Sequence, residues 1–235
     1  MKYCAVIPCY NHADTLPKVL DGLPEGLDAI VYDDGSNPPV QKHPRALLIR
    51  GEKNLGKSEA LKRLFKKADE MGFTHAVSLD ADCQHDPRLL PEIVALSQKN
   101  PDALIAGVRD FSAEGIPEKR RFMNKFSNFW FRVETSQTLA DTQCGYRCYP
   151  LGLVKRLKIS FGAYAYEAEM LVKTIWAGGR ILSVKIPTLY TEKSTASSHY
   201  RPFKDTFIIS CMNTKLTFQS LLLPKSALKK LAVKK

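Results

Sequence analysis

The stretch HAVSLDADCQHDPRLLPEIVAL, residues 75–96, decides the fold. His75 to Leu79 is a short apolar run, the pattern of a strand buried on both faces. It exits into the polar turn Asp80-Ala81-Asp82-Cys83-Gln84-His85-Asp86. Asp86-Pro87 then supplies an N-terminal cap, with proline in the first turn of a helix through Leu90, Ile93, Val94 and Leu96. The same elements recur along the chain. Tyr3 to Ile7, Ala29 to Tyr32, Ala46 to Ile49 and Ala103 to Ala106 read as further buried strands. Between them, Ser58 to Met71 places Leu61, Leu64, Phe65, Ala68 and Met71 on one helical face and Lys62, Arg63, Lys66 and Lys67 on the other, and Gly72 ends it. This alternation predicts an α/β fold, a mostly parallel sheet flanked by helices. In such open sheets the ligand sits beyond the carboxyl ends of the strands, so Pro8-Cys9-Tyr10-Asn11, Asp33-Asp34-Gly35-Ser36 and the Asp80 turn are expected to share one rim.

Composition narrows the class further. A chain of 235 residues, 44% hydrophobic and 25% charged, excludes a disordered polymer, a collagen-like repeat and a coiled coil. The net charge is +11, of which residues 201–235 carry +7 on eight basic residues and one acid. A near-neutral body with a basic end argues against a broad nucleic-acid face and points to an anionic membrane surface. The six cysteines form no CxxC pair and read as free thiols, and no stretch reaches the roughly 18 to 20 apolar residues of a membrane span. The expected location is therefore cytoplasmic, peripheral at the inner face of the membrane.

Two motifs compete for the chemistry. Asp80 and Asp82 are two apart at a strand end, so both carboxylates can project to one side with Gln84 in the same spacing. Hard oxygens so placed suit Mg²⁺ or Mn²⁺, which bind through one or two carboxylates plus substrate phosphates. A solvated acidic turn would explain Asp86 but leave Asp80 and Asp82 as mutual repulsion. The second motif, Gly51-Glu52-Lys53-Asn54-Leu55-Gly56-Lys57-Ser58, matches the phosphate-cradling GxxxxGK[ST] loop between a strand and a helix. It supports an alternative reading as a P-loop phosphotransferase, in which Asp34 and Tyr10 have no role.

The set VIPCYN (6–11), YDDGS (32–36), NLGKSEAL (54–61) and DADCQHDP (80–87) resembles family 2 glycosyltransferases of the GT-A fold. Downstream, Arg109, KRRFMNKFSNFWFR (119–132), DTQCGYRCYP (141–150), GAYAYEAEML (162–171) and VKIP (184–187) resemble most the dolichyl and polyprenyl phosphate sugar synthases. The resemblance implies that Pro8, Tyr10, Tyr32 and Asp34 hold base and ribose, and that Asp80, Ala81, Asp82 and Gln84 hold metal and sugar diphosphate. It further implies that Arg109 grips donor phosphate, with Lys57 a cation near the rim. The implied donor is a UDP- or GDP-sugar. The implied acceptor is a lipid phosphate; a hydroxyl of a glycan or lipid is the other option. Asp141, with Arg147 six residues on, is the best base candidate if the acceptor is a hydroxyl, whereas an ionised phosphate needs no strong base. Glu169 is site-facing by family position.

Two residues depart from the family pattern: His12 stands where a Glu is usual, and His199 where a Lys is usual, with Arg201 or Lys204 as substitute cations. The chain is expected to form one domain over residues 1–200. Residues 201–235 follow as a basic, amphipathic helical segment that meets the membrane, packs on the body or serves a homodimer.

Overall fold

The computed structural model of the chain describes residues 1–111, 116–187 and 201–234. Its strands are β1 (Tyr3–Cys9), β2 (Asp28–Asp33), β3 (Ala46–Arg50), β4 (His75–Ser78), β5 (Leu104–Arg109), β6 (Arg147–Pro150) and β7 (Ile181–Ile186). Its helices are α1 (Leu16–Asp21), α2 (Lys57–Glu70), α3 (Leu90–Lys99), α4 (Glu118–Thr135), α5 (Leu151–Arg156), α6 (Ala165–Trp176), α7 (Pro202–Leu222) and α8 (Lys225–Ala232). The seven strands form one sheet in the order β3-β2-β1-β4-β6-β5-β7. β6 runs antiparallel to β4 and β5, and the other pairings are parallel. All five expected strands are present, and β6 and β7 add to them. The helix expected after Asp86 begins as a 3₁₀ turn, Pro87–Leu89, in which Asp86 accepts from the Arg88 amide at 2.9 Å.

Alternation along β1 builds the two halves of the core. Cys4 and Val6 face α2 and α6, packing with Leu61, Leu64, Phe65 and Met170. Ala5, Ile7 and Cys9 face α1 and α3, packing with Leu16, Val19, Leu20, Leu90 and Ile93. Leu61 and Leu64 are fully buried, each stabilising the fold by roughly 1.5–3 kcal/mol relative to exposure.

The C-terminal helices are part of this body. Met212 and Leu216 of α7 and Leu228 and Ala232 of α8 belong to the α2-side core. Asp205, Met212, Asn213 and Leu216 form the buried face of α7, while Phe203, Phe207, Phe218, Leu221 and Leu222 are exposed. α7 therefore carries apolar side chains on both faces, Met212 and Leu216 packed on the body and the large phenylalanines and leucines turned outward. Among the described residues, no helix is long and apolar enough to cross a membrane.

Candidate active site

Because β1, β2, β3, β4, β5 and β7 all run the same way, their carboxyl ends share one edge, and β6 starts there. The exits are tied to one another. The Asp34 amide donates to Cys9 O at 2.8 Å, the Asn11 amide to Ser36 Oγ at 2.9 Å, and the Asn37 amide to Asn11 Oδ1 at 2.9 Å. Thr15 Oγ1 donates to Ala81 O at 2.6 Å, and Ser78 Oγ to Gly145 O at 2.6 Å. Ala81 is thus a buried support for the acidic turn.

Within that turn the two carboxylates have different surroundings. Lys57 Nζ lies 2.7 Å from Asp80 Oδ1 and 3.2 Å from Glu167 Oε2. Burial alone would raise the Asp80 carboxyl, but the ammonium outweighs it and holds the group below the usual carboxylate range. Burial, with the Asp80 charge next to it, pushes Asp82 up to about 6, although Asp82 Oδ1 accepts from the Gln84 amide at 3.0 Å. Burial also opposes charge on Lys57, yet Asp80 and Glu167 together raise its pKa. Beneath the turn, burial drives His85 down to about 4, leaving a neutral imidazole against Tyr146 and 3.8 Å from Cys144 Sγ.

Across the rim, Arg109 at the end of β5 forms a bidentate pair with Asp141, Nε to Oδ2 at 2.6 Å and Nη2 to Oδ1 at 3.0 Å. Asp141 is fully buried and also accepts from Asn124 Nδ2 at 2.8 Å and the Gln143 amide at 3.0 Å. The guanidinium also lies 5.0 Å over the Phe111 ring.

The remaining expected site residues differ in depth and partners. Tyr32 is buried on the α2 face of β2, its hydroxyl beside Gly51 at the β3 exit, and Arg63 stacks 5.6 Å over its ring. Asp34 is buried, and its carboxylate accepts from the Leu55 amide at 3.0 Å and the Gly56 amide at 2.7 Å. Arg147 is buried, its two terminal nitrogens donating to Glu167 O at 2.9 Å and Thr142 O at 2.8 Å, so it braces main chain. Glu169 is fully buried, accepts the Ser160 and Phe161 amides at 2.8 Å and pairs with Lys173 at 3.1 Å. Pro8 and Tyr10 are half-buried at the β1 exit. Arg201 caps α7, its amide 2.7 Å from Asp205 Oδ2. His199 and its flanking residues lie outside the described residues. Sequence reasoning missed Glu167 as a partner of Lys57, and missed Asn124 and Gly145. Only their places in the KRRFMN and QCGY motifs drew attention to the last two.

The same contacts dispose of the P-loop. The amides of Leu55 and Gly56, which would cradle phosphate, are spent on Asp34; Lys57 is held by two carboxylates; and Ser58 Oγ accepts from the Ala163 amide at 2.9 Å. Gly51 serves a close approach, since a Cβ there would lie 2.6 Å from Tyr32 Oη. Among the described residues no cluster of three or more His, Cys, Asp or Glu side chains stands ready for a metal. Two adjacent carboxylates nevertheless fit a hard divalent cation whose remaining ligands are phosphate oxygens and water, and the mutual repulsion registered at Asp82 is what such a cation would relieve.

Comparison with known proteins agrees with this geometry. The chain is 25% identical over 215 residues to the undecaprenyl-phosphate mannosyltransferase of Micrococcus luteus, covering 84% of this chain and 87% of that one. It is 25% identical over 230 residues to the undecaprenyl-phosphate 4-deoxy-4-formamido-L-arabinose transferase of Pectobacterium atrosepticum, covering 90% of this chain and 65% of that protein, just under two thirds of its length. The fold matches glucosyl-3-phosphoglycerate synthase from Mycobacterium tuberculosis, solved with Mn²⁺, UDP-glucose and phosphoglyceric acid. The TM-score is 0.67 at 19% identity, over 95% of this chain and 80% of that one. Residues 4–157, well over half the chain, match glycosyl transferase family 2. The acidic turn closing β4, the parallel sheet beneath it and this match together make the chain a family 2 glycosyltransferase.

Proposed function

We propose that the protein transfers a sugar from a nucleoside-diphosphate sugar to a polyprenyl phosphate, with inversion at the anomeric carbon. The observation that carries this reading is the pair of carboxylates at the end of β4, with Lys57 in contact with Asp80 and Arg109 near enough to stabilise the Asp80 charge. An ionised oxygen of the acceptor phosphate attacks the anomeric carbon opposite the leaving group. The bond from that carbon to the diphosphate oxygen breaks, and the nucleoside diphosphate departs. Asp82, with Asp80, would hold Mg²⁺ or Mn²⁺, which supplies positive charge against the leaving diphosphate. Arg109, held in orientation by its pair with Asp141, would turn its guanidinium toward the diphosphate at the same rim. Pro8, Tyr10 and Asp34 lie at the β1 and β2 exits, where the base and ribose would rest, and Gln84 completes the acidic turn.

The state of Asp141 favours a phosphate acceptor over a hydroxyl. Its carboxylate is engaged by Arg109, Asn124 and the Gln143 amide, a poor arrangement for a general base. A phosphate oxygen, already ionised at neutral pH, needs none.

The outward apolar side chains of α7 extend this reading to the membrane. α4 packs on α7 and itself exposes Phe122, Phe126 and Phe129. Exposed Lys119 and Lys125 stand among them, and Lys225, Lys229 and Lys230 lie on α8. Aromatic rings flanked by lysines suit the interface of an anionic bilayer, where the lipid acceptor resides. A homodimer through the same face is the second reading.

The experiment is transfer of labelled hexose from UDP- and GDP-sugars to polyprenyl phosphate in detergent with Mn²⁺, read as label entering the organic phase. Transfer that needs the lipid phosphate and is lost in Asp82→Ala supports the assignment; undiminished turnover in Asp82→Ala removes it.

A further inference from the structure

Lys57 opens α2 and is shared between two elements, with Asp80 of the β4 exit at 2.7 Å and Glu167 of α6 at 3.2 Å. We propose that Lys57 is a built-in counter-ion for Asp80 that must yield before a divalent cation can bind there. Glu167 is the carboxylate that receives it, so the cation enters with the donor diphosphate rather than ahead of it. This rests on the glycosyltransferase reading above and assigns an order of binding to it.

Packing closes one side of the ammonium and offers it a second carboxylate on the other. On one side the main chain of Gly145 closes over the pair, so tightly that a Cβ there would lie 2.8 Å from Nζ and 3.0 Å from Asp80 Oδ2. On the other side stands Glu167, whose Oε1 is buried and has no hydrogen-bond partner. That oxygen has acceptor capacity which an ammonium shifting away from Asp80 would fill. Glu167 is also a fixed receiver, because the buried Arg147 donates to its main-chain carbonyl at 2.9 Å.

Charge sets the order. A divalent cation arriving alone would share Asp80 with an ammonium already in contact, placing like charges side by side at a partly buried site. A cation arriving with a diphosphate that carries two negative charges adds no net charge. Glu167 is thus a positioning residue, acting through Lys57 and not on the reacting atoms.

The test is Mn²⁺ binding to the full chain without nucleotide, read by the electron paramagnetic resonance of free Mn²⁺, alongside binding of the Mn²⁺ complexes of UDP and GDP. Native protein is expected to bind Mn²⁺ at least about tenfold more weakly without nucleotide than with it, the scale of one opposed charge at contact in a screened site. Lys57→Met is expected to tighten nucleotide-free binding by roughly tenfold on the same reasoning, with Lys57→Arg remaining weak. Lys57→Gln keeps donors to both carboxylates without the charge, and carries the same expectation if Lys57→Met does not fold. Glu167→Gln should weaken nucleotide-free binding further, and Glu167→Asp should restore it. Equal nucleotide-free affinity in native protein and both neutral Lys57 variants overturns the proposal while leaving the function intact, provided that Mn²⁺ bound with nucleotide is lost in Asp82→Asn. If no variant binds Mn²⁺ even with UDP or GDP, the glycosyltransferase site fails together with the order built on it.

Discussion

Arg109 and Asp141, 32 residues apart in sequence, meet as a two-point fork at 2.6 and 3.0 Å, and the aspartate is fully buried. A guanidinium matched to a carboxylate in this way cannot be replaced by a lysine, which offers a point charge without the planar fork. Removing the aspartate leaves a nearly buried cation uncompensated. Asp141→Ala is therefore expected to cost about 3–5 kcal/mol. The melting temperature should fall by on the order of 10 °C. Donor KM should rise as Arg109 loses its orientation. Asp141→Asn with full loss of turnover at an unchanged melting temperature would instead mark Asp141 as a catalytic base.

Tyr32 and Gly51 make a second, separable test. A Cβ on residue 51 would sit 2.6 Å from Tyr32 Oη, and that buried hydroxyl has no hydrogen-bond partner. Gly51→Ala should destabilise by about 1–3 kcal/mol through overpacking. Tyr32→Phe should fall within about 1 kcal/mol of native, because the oxygen it removes satisfies nothing. The double variant should recover most of the loss, as measured by denaturant midpoint. Donor affinity in Tyr32→Phe should be unchanged; a drop would return Tyr32 to the nucleotide site.

Much of this architecture is legible in the sequence for physical reasons. A parallel strand buried on both faces is a run of apolar residues, and the runs at residues 3–7, 29–32, 46–49, 75–79 and 103–106 all lie on or overlap observed strands, although 46–49, expected to be buried, forms the edge strand β3 and leaves Leu47 exposed. β6 escaped because Arg147–Pro150 is short, carries a buried arginine, and is stabilised by antiparallel pairing on both sides, which no local pattern announces. The acidic turn was visible because its side chains are neighbours in sequence. Partners distant in sequence were not, as with Arg109 and Asp141. Glu167 and Glu169 show the limit most sharply. Two residues apart on a helix they point to different sides, and only packing decides that Glu167 reaches Lys57 while Glu169 caps the amides of Ser160 and Phe161.

Glu134 gives the fold a pH dependence. It lies in the last turn of α4, where the helix dipole disfavours a carboxylate, and burial pushes its pKa up to about 8. Below its ordinary value of 4.5 both folded and unfolded chains hold the proton. Between 4.5 and about 8 the unfolded chain releases a proton that the folded one keeps, so stability falls as pH rises, and above 8 the slope levels. Glu134→Gln should abolish that slope and stabilise the protein at pH 7 by up to roughly 3 kcal/mol. Denaturant melts at pH 5, 7 and 9 measure it; parallel slopes in the two proteins would show Glu134 to be ionised when folded.

The outward apolar face of α4 and α7 yields the last prediction. Phe122, Phe126 and Phe129 are about half exposed or more, and burying one aromatic side chain in a bilayer interface is worth on the order of 1–3 kcal/mol. Changing all three to Ser should therefore lower partition into vesicles containing anionic lipid by at least about tenfold. The rings are partly buried against one another and Trp130, so the melting temperature should fall by on the order of 5–10 °C, while Mn²⁺-dependent binding of UDP or GDP below that temperature should be retained. Raising salt should weaken the native interaction further, through the lysines of α4 and α8. Loss of a dimer in the triple variant, with vesicle binding unaltered, would assign the same face to a second copy of the chain, because phenylalanines packed against a partner subunit would be unavailable to lipid.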